Sequence, residues 1–330
     1  MSNDFTIFSG TANPALAAAV ARELGAPLGA CAIDRFPDGE VSVQLREPVR
    51  RKEVFLVQPT SPPVNDNLVE LLALADACRR AAAARITAVV PYFGYARADK
   101  RDGRLEPITG RMVADLLQAV GFAQVITMDL HTPQIEGFFY APMDTLTAMP
   151  VLCAVLKDRL QRDSVVVSPD AGRARLAADY AECLRLPVIM LHKRRESPDR
   201  AEVTQVVGDV TNRACLIIDD MIATGGTIAG SVAALLGAGA RPEFIVAATH
   251  GLFLDGARAK LDHAAIRDVF VTDSVNVTQK DWPKLRVVSI ASLIAGAIER
   301  CMVDGSLGDS LPTKTDQVSA GRRHGSHTIS

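Results

Sequence analysis

The chain has 330 residues, 48% of them hydrophobic and 22% charged, and a formal net charge of −2, which is the balance of a globular protein long enough for two domains. The charge gives no indication of a nucleic-acid partner, since binding to a phosphate backbone depends on a basic excess. No apolar run approaches the ~20 residues that cross a bilayer, and the start of the chain, MSNDFTIFSG, lacks the features of a signal peptide, so we expect a cytoplasmic protein without membrane contact.

Short β-branched runs alternate along the chain with longer Ala- and Leu-rich stretches of helical periodicity. This alternation predicts parallel sheets covered by helices, because strands that are apolar along their whole length are buried on both faces. The predicted strands are 5–10, 54–59, 86–93, 124–130, 164–170, 187–193, 215–220, 243–250, 268–274 and 285–290. The predicted helices include 65–82, 107–120, 172–185 and 227–238.

The order of these elements repeats within the chain. Residues 53–94 and residues 214–251 each give a strand, a polar loop, an Ala/Leu-rich helix and a second strand. We therefore expect an α/β protein of two similar domains, each a mainly parallel sheet flanked by helices, at 1–149 and 150–303. The tail, 304–330, is polar and rich in Gly and Ser, which predicts disorder.

The stretch CLIIDDMIATGGT, residues 215–227, places two acids where an apolar strand stops and a glycine turn begins. Open α/β sheets bind ligands at the carboxyl ends of their strands, so Asp219 and Asp220 are expected to line a crevice. Gly225 and Gly226 allow several N–H groups to converge at a helix N-terminus, which suits a phosphate monoester, and the acids suit vicinal hydroxyls. Phosphate and diol together predict a ribose phosphate, although T-G-G-T alone also fits an ordinary helix cap.

The same stretch resembles the 5-phosphoribosyl 1-diphosphate binding motif of type I phosphoribosyltransferases. A longer, collinear set of motifs resembles the ribose-phosphate pyrophosphokinase family: FPDGEVSVQL, PYFGYARADK, ITMDLHTPQIEGFF, VVVSPDAG, HKRRESPDRAEV, THGLF and VTDS. This resemblance implies two phosphoribosyltransferase-like domains that transfer the diphosphoryl group of ATP to the C1 hydroxyl of ribose 5-phosphate. It also implies Mg²⁺ as the cofactor and a homo-oligomer, a hexamer, in which neighbouring copies complete the active sites.

The resemblance assigns each group of site residues a role. Lys193 and Arg195 would be catalytic. Ribose 5-phosphate would be held by Arg195, Asp219, Asp220, Ala223, Thr224, Gly225, Gly226 and Thr227. ATP would be held by Phe36, which stacks on adenine, and by Asp38, Gly39, Glu40, Arg97 and Ala98. The metal ligands would be His131 and Asp170, each of which follows a predicted buried strand and so belongs at a carboxyl edge of the sheet.

Each of these motifs also has a simpler interpretation. Pro-Asp-Gly in the segment 36–40 is a strong turn signal. A single histidine after a strand, such as His131, is more often structural than a metal ligand. A Lys-Arg-Arg run, here 193–195, is usually a solvated basic segment. The collinear order of the motifs is what favours the functional interpretation of each.

Three features depart from the family pattern. The segment KRDGRLEPITG, 100–110, differs from the Arg/Ser-rich segment that helps to form an allosteric phosphate and ADP site in the best-regulated members. Ala223 stands where the family often has an acid that helps to orient or deprotonate the anomeric hydroxyl. After SPD, the common Gly-Gly-Val-x-Arg stretch is replaced by AGRARLAADYA, residues 171–181, which alters the approach to the ribose.

Two other functions share part of these motifs. A nucleobase phosphoribosyltransferase has the same phosphate loop, and DDMIATGGT with its alanine resembles the adenine enzymes, but FPDGE, GYARADK and MDLH have no role in a single-domain transferase. A non-catalytic, synthetase-associated regulatory subunit would keep the fold and lose the chemistry. Retention of Lys193, Arg195, His131 and Asp170 argues against such a subunit.

Overall fold

The structure is a computed structural model that describes residues 5–101, 103, 105–197, 200–277 and 281–302. For 193–197 and 200–204 it describes the backbone alone. The tail 304–330, for which the sequence predicts disorder, lies outside the described residues. Within the described ranges no helix is long and apolar enough to span a membrane.

Strands and helices alternate through most of this length. The strands are β1 (Phe5–Ser9), β2 (Cys31–Arg35), β3 (Val41–Leu45), β4 (Glu53–Val57), β5 (Arg85–Val90), β6 (Gln124–Met128), β7 (Met143–Leu146), β8 (Val165–Ser168), β9 (Val188–Ser197), β10 (Arg200–Val207), β11 (Cys215–Ile222), β12 (Phe244–Gly251), β13 (Ile266–Thr272) and β14 (Leu285–Val288). The helices are α1 (Pro14–Glu23), α2 (Val64–Arg80), α3 (Thr109–Val120), α4 (Met149–Lys157), α5 (Ala174–Leu184), α6 (Gly226–Gly237), α7 (Ala257–Leu261) and α8 (Ala291–Met302).

Two parallel sheets form the framework. The first has the order β1-β4-β5-β6-β7, and the second has the order β10-β9-β8-β11-β12-β13-β14. Every described pairing in them is parallel except that between β9 and β10, which form an antiparallel arm at one edge. The apolar strands are buried along nearly their whole length, as in β4 and β11, because helices cover both faces of a parallel sheet. The predicted α/β class is confirmed.

A hydrophobic core joins the two sheets. Leu16 and Val20 of α1 lie in the same buried cluster as Ile294 and Ile298 of α8, together with Ile218 of β11. Each such side chain contributes about 1.5–3 kcal/mol by leaving water. The predicted domain boundary near residue 150 stays a prediction.

Two hairpins stand apart from this core and carry predicted site residues. The strands β2 and β3 form a separate two-stranded sheet, whose tip is the segment 36–40. The arm of β9 and β10 extends past the end of β8, and it places Lys193 opposite Val203 and Arg195 opposite Ala201. The expected strand 187–193 is longer in the structure because β10 continues to pair with it.

Candidate active site

The candidate site lies where three parallel strands end. His131 follows β6, Asp170 follows β8, and Asp219 and Asp220 lie near the carboxyl end of β11. Since the carboxyl ends of parallel strands meet at one edge of a sheet, residues far apart in sequence come together there. His131 belongs to the first sheet and the three acids to the second, so the site spans both halves of the chain.

A single arginine ties these residues together. Asp220 accepts a hydrogen bond from Nδ1 of His131 at 2.7 Å. The Nε atom of Arg173 lies 3.1 Å from Oδ1 of Asp220 and 3.5 Å from Oδ1 of Asp219. The Nη2 atom of Arg173 lies against the imidazole ring, 2.8 Å from Nδ1, and Nη1 donates to the carbonyl oxygen of His131 at 3.2 Å. The guanidinium therefore contacts both acids and the histidine at once.

Asp170 fixes the backbone of that arginine. Its side chain caps a short 3₁₀ turn, Ala171–Arg173, by accepting a hydrogen bond from the Arg173 backbone N–H at 3.1 Å. The predicted helix 172–185 thus begins with this turn before α5. Arg173 is not among the predicted site residues, although a cation three residues after Ser-Pro-Asp, at the end of a buried strand, is a signal for it.

The two acids differ in their electrostatic environment. Burial, followed by the side-chain hydrogen bond with Asp220 and the charge of that residue, raises the pKa of Asp219 well above its ordinary value. Burial would also raise the pKa of Asp220, but the hydrogen bond from His131, with help from Asp219 and Arg173, lowers the pKa below its ordinary value. The pair therefore holds a proton more readily on Asp219, and Asp220 is the stable anion.

The glycine turn after β11 leads into an uncapped helix. Gly225 has φ +72° and precedes α6, and no side-chain hydrogen bond caps the helix at this position. The first N–H groups of a helix have no intrahelical acceptor, so they are available to an anion. Thr224 is exposed and Thr227 is half-buried, which leaves both hydroxyls near the surface. This geometry fits the predicted phosphate loop.

A cleft of about 570 Å³ adjoins the loop on the side of the first sheet. Both halves line it, and its walls are Pro62, Pro63, Val64, Asn65, Asp66, Tyr92, Tyr95, Arg97, Ala98, Ala223, Leu252 and Leu254. The guanidinium of Arg97 contacts the sulfur of Met221, the residue after Asp220. Two residues predicted to bind ATP, Arg97 and Ala98, thus share a cavity with Ala223 of the phosphate loop.

The remaining predicted ATP residues lie on the β2–β3 hairpin. The Phe36 N–H donates to the Glu40 carbonyl at 2.9 Å, Glu40 N–H donates to Asp38, and Gly39 has φ +94°, so the segment is a tight turn. The Phe36 side chain is 53% exposed. No residue of this turn is among those that line the cleft described above. The turn interpretation is correct, and it leaves an exposed aromatic ring at the tip.

The predicted metal ligands, His131 and Asp170, stay a prediction. In the described part of the chain, no group of three or more His, Cys, Asp or Glu side chains is arranged to hold a metal ion. Magnesium usually takes one or two protein ligands and shares phosphate oxygens with a substrate. His131 and Asp170 could supply at most those one or two ligands, and both already contact Arg173: Asp170 accepts from its backbone N–H, and Nη2 lies 2.8 Å from Nδ1 and 3.2 Å from Nε2 of His131.

Comparisons with known proteins agree with one another. Residues 5–121 match the model of the N-terminal domain of ribose phosphate pyrophosphokinase, and residues 195–311 match that of the phosphoribosyl synthetase-associated domain. The chain is 45% identical to a ribose-phosphate pyrophosphokinase of Gloeobacter violaceus, over 91% of each chain. It belongs to the ribose-phosphate pyrophosphokinase family.

Further members of that family show the same extent of similarity. The corresponding protein of Thermotoga maritima is 43% identical, over 91% of this chain and 95% of that protein. The crystal structure of phosphoribosylpyrophosphate synthetase from Mycobacterium smegmatis matches with a TM-score of 0.85 at 41% identity, covering 91% of this chain and 99% of that one. The family, the fold class and the enzyme class, ribose-phosphate diphosphokinase, are confirmed. The roles of individual residues and the cytoplasmic location stay predictions.

Proposed function

We propose that this chain transfers the β,γ-diphosphoryl group of ATP to the anomeric hydroxyl of ribose 5-phosphate, giving 5-phosphoribosyl 1-diphosphate and AMP. One observation carries the proposal. The acid pair and the uncapped N-terminus of α6 flank Ala223, which lines a cleft together with Arg97 of the other half. A ribose phosphate at the loop would therefore have its anomeric carbon beside a second, separate binding cavity.

The ribose phosphate would bind through two kinds of contact. The N–H groups and hydroxyls of the loop 223–227 would hold the 5-phosphate, because a helix N-terminus favours an anion. Asp219 and Asp220 would accept hydrogen bonds from the ribose hydroxyls. Arg195, whose backbone lies on the β9–β10 arm, would add a cation to the ribose phosphate site.

The nucleotide would occupy the cleft beside Arg97 and Ala98. Adenine would stack on Phe36, with Asp38, Gly39 and Glu40 contacting its edge, and these residues would come from a neighbouring copy. The exposed ring supports this arrangement, since the hairpin tip does not line the cleft of its own chain. We accordingly propose a homo-oligomer, a hexamer, and the mass in solution tests it: a fully active monomer would contradict the arrangement.

The reaction needs positioning and neutralisation of charge more than covalent help from the protein. The anomeric hydroxyl loses its proton to solvent as its oxygen attacks the β-phosphorus in line, and the bond from that phosphorus to the α,β-bridging oxygen breaks as AMP leaves. Lys193 and Arg195 would stabilise the charge that develops on the phosphate oxygens. Mg²⁺, held by His131 and Asp170, would neutralise the phosphates when bound.

The test is a coupled assay for AMP. We expect AMP release that depends on ATP, ribose 5-phosphate and Mg²⁺ together, and that stops when any one is omitted. A nucleobase phosphoribosyltransferase would instead consume 5-phosphoribosyl 1-diphosphate with a free base and would not require ATP. Activity of that second kind, or no activity with properly folded protein, would refute the proposal.

A further inference from the structure

Arg173 contacts four of the predicted site residues, although no role is assigned to it. Its side chain is 16% exposed, and its guanidinium lies within 3.5 Å of Asp219, Asp220 and His131. Its backbone N–H is held by Asp170 at 3.1 Å. The Arg173 side chain therefore contacts the two proposed ribose-binding acids and His131, one proposed metal ligand. Asp170, the other proposed metal ligand, holds the Arg173 backbone.

The acid pair needs such a partner. Asp219 and Asp220 are adjacent in the chain, and the backbone N–H of Asp220 donates to Oδ1 of Asp219 at 2.9 Å, which holds the Asp219 carboxyl group against the backbone of its neighbour. When both are ionised, two carboxyl groups held this close, with Asp220 only 4% exposed, repel each other, and a cation beside them relieves that repulsion. The planar fork of a guanidinium can hold more than one oxygen in a fixed direction, which a lysine ammonium cannot do.

Contacts from three different strand ends hold the guanidinium in place. Nη1 donates to the His131 carbonyl of the first sheet, Nε faces the acids of β11, and the backbone N–H is bound at the end of β8. Three strand ends thus fix one side chain. Two residues further along, Arg175 is exposed, which makes it a matched control on the same helical segment.

We propose that Arg173 is a positioning residue for ribose 5-phosphate, which holds Asp219 and Asp220 in the orientation that accepts the ribose hydroxyls. The inference rests on the proposed function, because it takes the acid pair as the hydroxyl site. It assigns Arg173 no contact with the reacting atoms. Arg173 acts through the two acids. Its loss should therefore weaken the binding of ribose 5-phosphate more than the binding of ATP.

Steady-state kinetics of Arg173→Ala, Arg173→Lys and Arg175→Ala test this role. Removing one member of a buried charge pair weakens binding by a factor of about 30 or more, so Arg173→Ala should raise KM for ribose 5-phosphate by at least that factor. We expect KM for ATP to change by much less. Arg173→Lys should be intermediate, because it keeps the charge and loses the fork, and Arg175→Ala should match the wild type.

Chemical rescue separates positioning from general support of the fold. Guanidinium chloride at a concentration that does not unfold the protein should lower KM for ribose 5-phosphate in Arg173→Ala, and methylammonium chloride should do so less well. A folded Arg173→Ala protein with unchanged KM, or with equal losses for both substrates and no rescue, would overturn the inference. If Arg173→Ala does not fold, a normal KM in Arg173→Lys would overturn it instead.

The design also distinguishes the two proposals. If the wild type releases AMP as expected and Arg173→Ala shows no selective loss, only the role of Arg173 fails. If the wild type does not turn over, the proposed reaction fails, and calorimetric titration with ribose 5-phosphate then decides the role of Arg173. Weaker binding by Arg173→Ala than by Arg175→Ala in that titration would support it, and equal binding would overturn it.

Discussion

Replacing Gly225 by alanine should destabilise the folded protein by about 1 kcal/mol, the balance of backbone strain and the smaller entropy of the unfolded alanine chain. An L-residue in the left-handed region, here φ +72°, costs roughly 1–2 kcal/mol. The new Cβ would also lie 3.2 Å from the Ala257 carbonyl oxygen and 3.4 Å from Cγ of Leu261, so that α7 must shift by a few tenths of an ångström. The smaller entropy of the unfolded alanine chain offsets about 0.4–1 kcal/mol of this strain and crowding.

The neighbouring glycine provides the control. A Cβ on Gly226 would find its nearest neighbour, Oγ1 of Thr224, at 3.7 Å, which is ordinary contact, and its φ is not positive. Gly226→Ala should therefore be neutral or stabilising by up to about 1 kcal/mol. Urea unfolding followed by circular dichroism measures both variants. Equal stabilities, or a more stable Gly225→Ala, would refute the argument from backbone strain.

The same pair of variants tests the phosphate loop. If Gly225→Ala turns the N–H groups at the start of α6 away from the anion, its KM for ribose 5-phosphate should rise with the loss of stability. The rise should be smaller in Gly226→Ala. A Gly225→Ala protein that loses stability but keeps its KM would place the phosphate elsewhere.

Four further variants test the chemistry and the buried charges. Lys193→Ala should lower kcat by roughly two orders of magnitude with little change in KM, as expected for a group that acts in the transition state; near-normal turnover would contradict its role. Ala223→Asp should raise kcat/KM for ribose 5-phosphate by about ten-fold, since a positioned carboxylate helps to deprotonate a hydroxyl; an unchanged value would mean that the alanine is not a deficit. Because the pKa of Asp219 is raised in the fold, its ionisation lowers stability as pH rises, so Asp219→Asn should be more stable than the wild type by about 1 kcal/mol or more at pH 8. That difference should shrink toward acid pH in thermal unfolding, and a pH-independent difference would contradict the assignment. Burial lowers the pKa of His250 below its ordinary value of 6.5, so the unfolded chain takes up a proton first and stability falls as pH drops below that value, by about 1.4 kcal/mol per pH unit at most; His250→Gln should show a flatter pH profile in urea titrations, and an equal slope would be evidence against a neutral buried imidazole.

Local patterns predicted the elements that carry the phosphate loop. The expected strand 215–220 is β11, which ends at Ile222, and the expected helix 227–238 is α6, displaced by one residue. Both depend on neighbouring residues: an apolar β-branched run, two glycines, and an Ala/Leu-rich stretch. The acid pair was placed correctly at the end of a strand for the same reason.

The contacts between these elements were not predictable in the same way. The hydrogen bond from His131 to Asp220 joins residues 89 positions apart. Only the packing of the two sheets against a shared core brings them together. Arg173 was missed because its significance comes from three strand ends and not from its neighbours in sequence. The extension of β9 beyond residue 193 was missed because it depends on the partner strand β10.

The core shared by α1 and α8 has a consequence for synthesis on the ribosome. Leu16 and Val20 are among the first apolar residues to be made, and they remain without their neighbours Ile294 and Ile298 until α8 emerges. The amino-terminal half of a nascent chain therefore carries an unfilled apolar face while the second half is translated, and such faces are where chaperones bind and where partly made chains aggregate. The active site needs residues from both halves of the chain, so a prematurely terminated chain should have no activity.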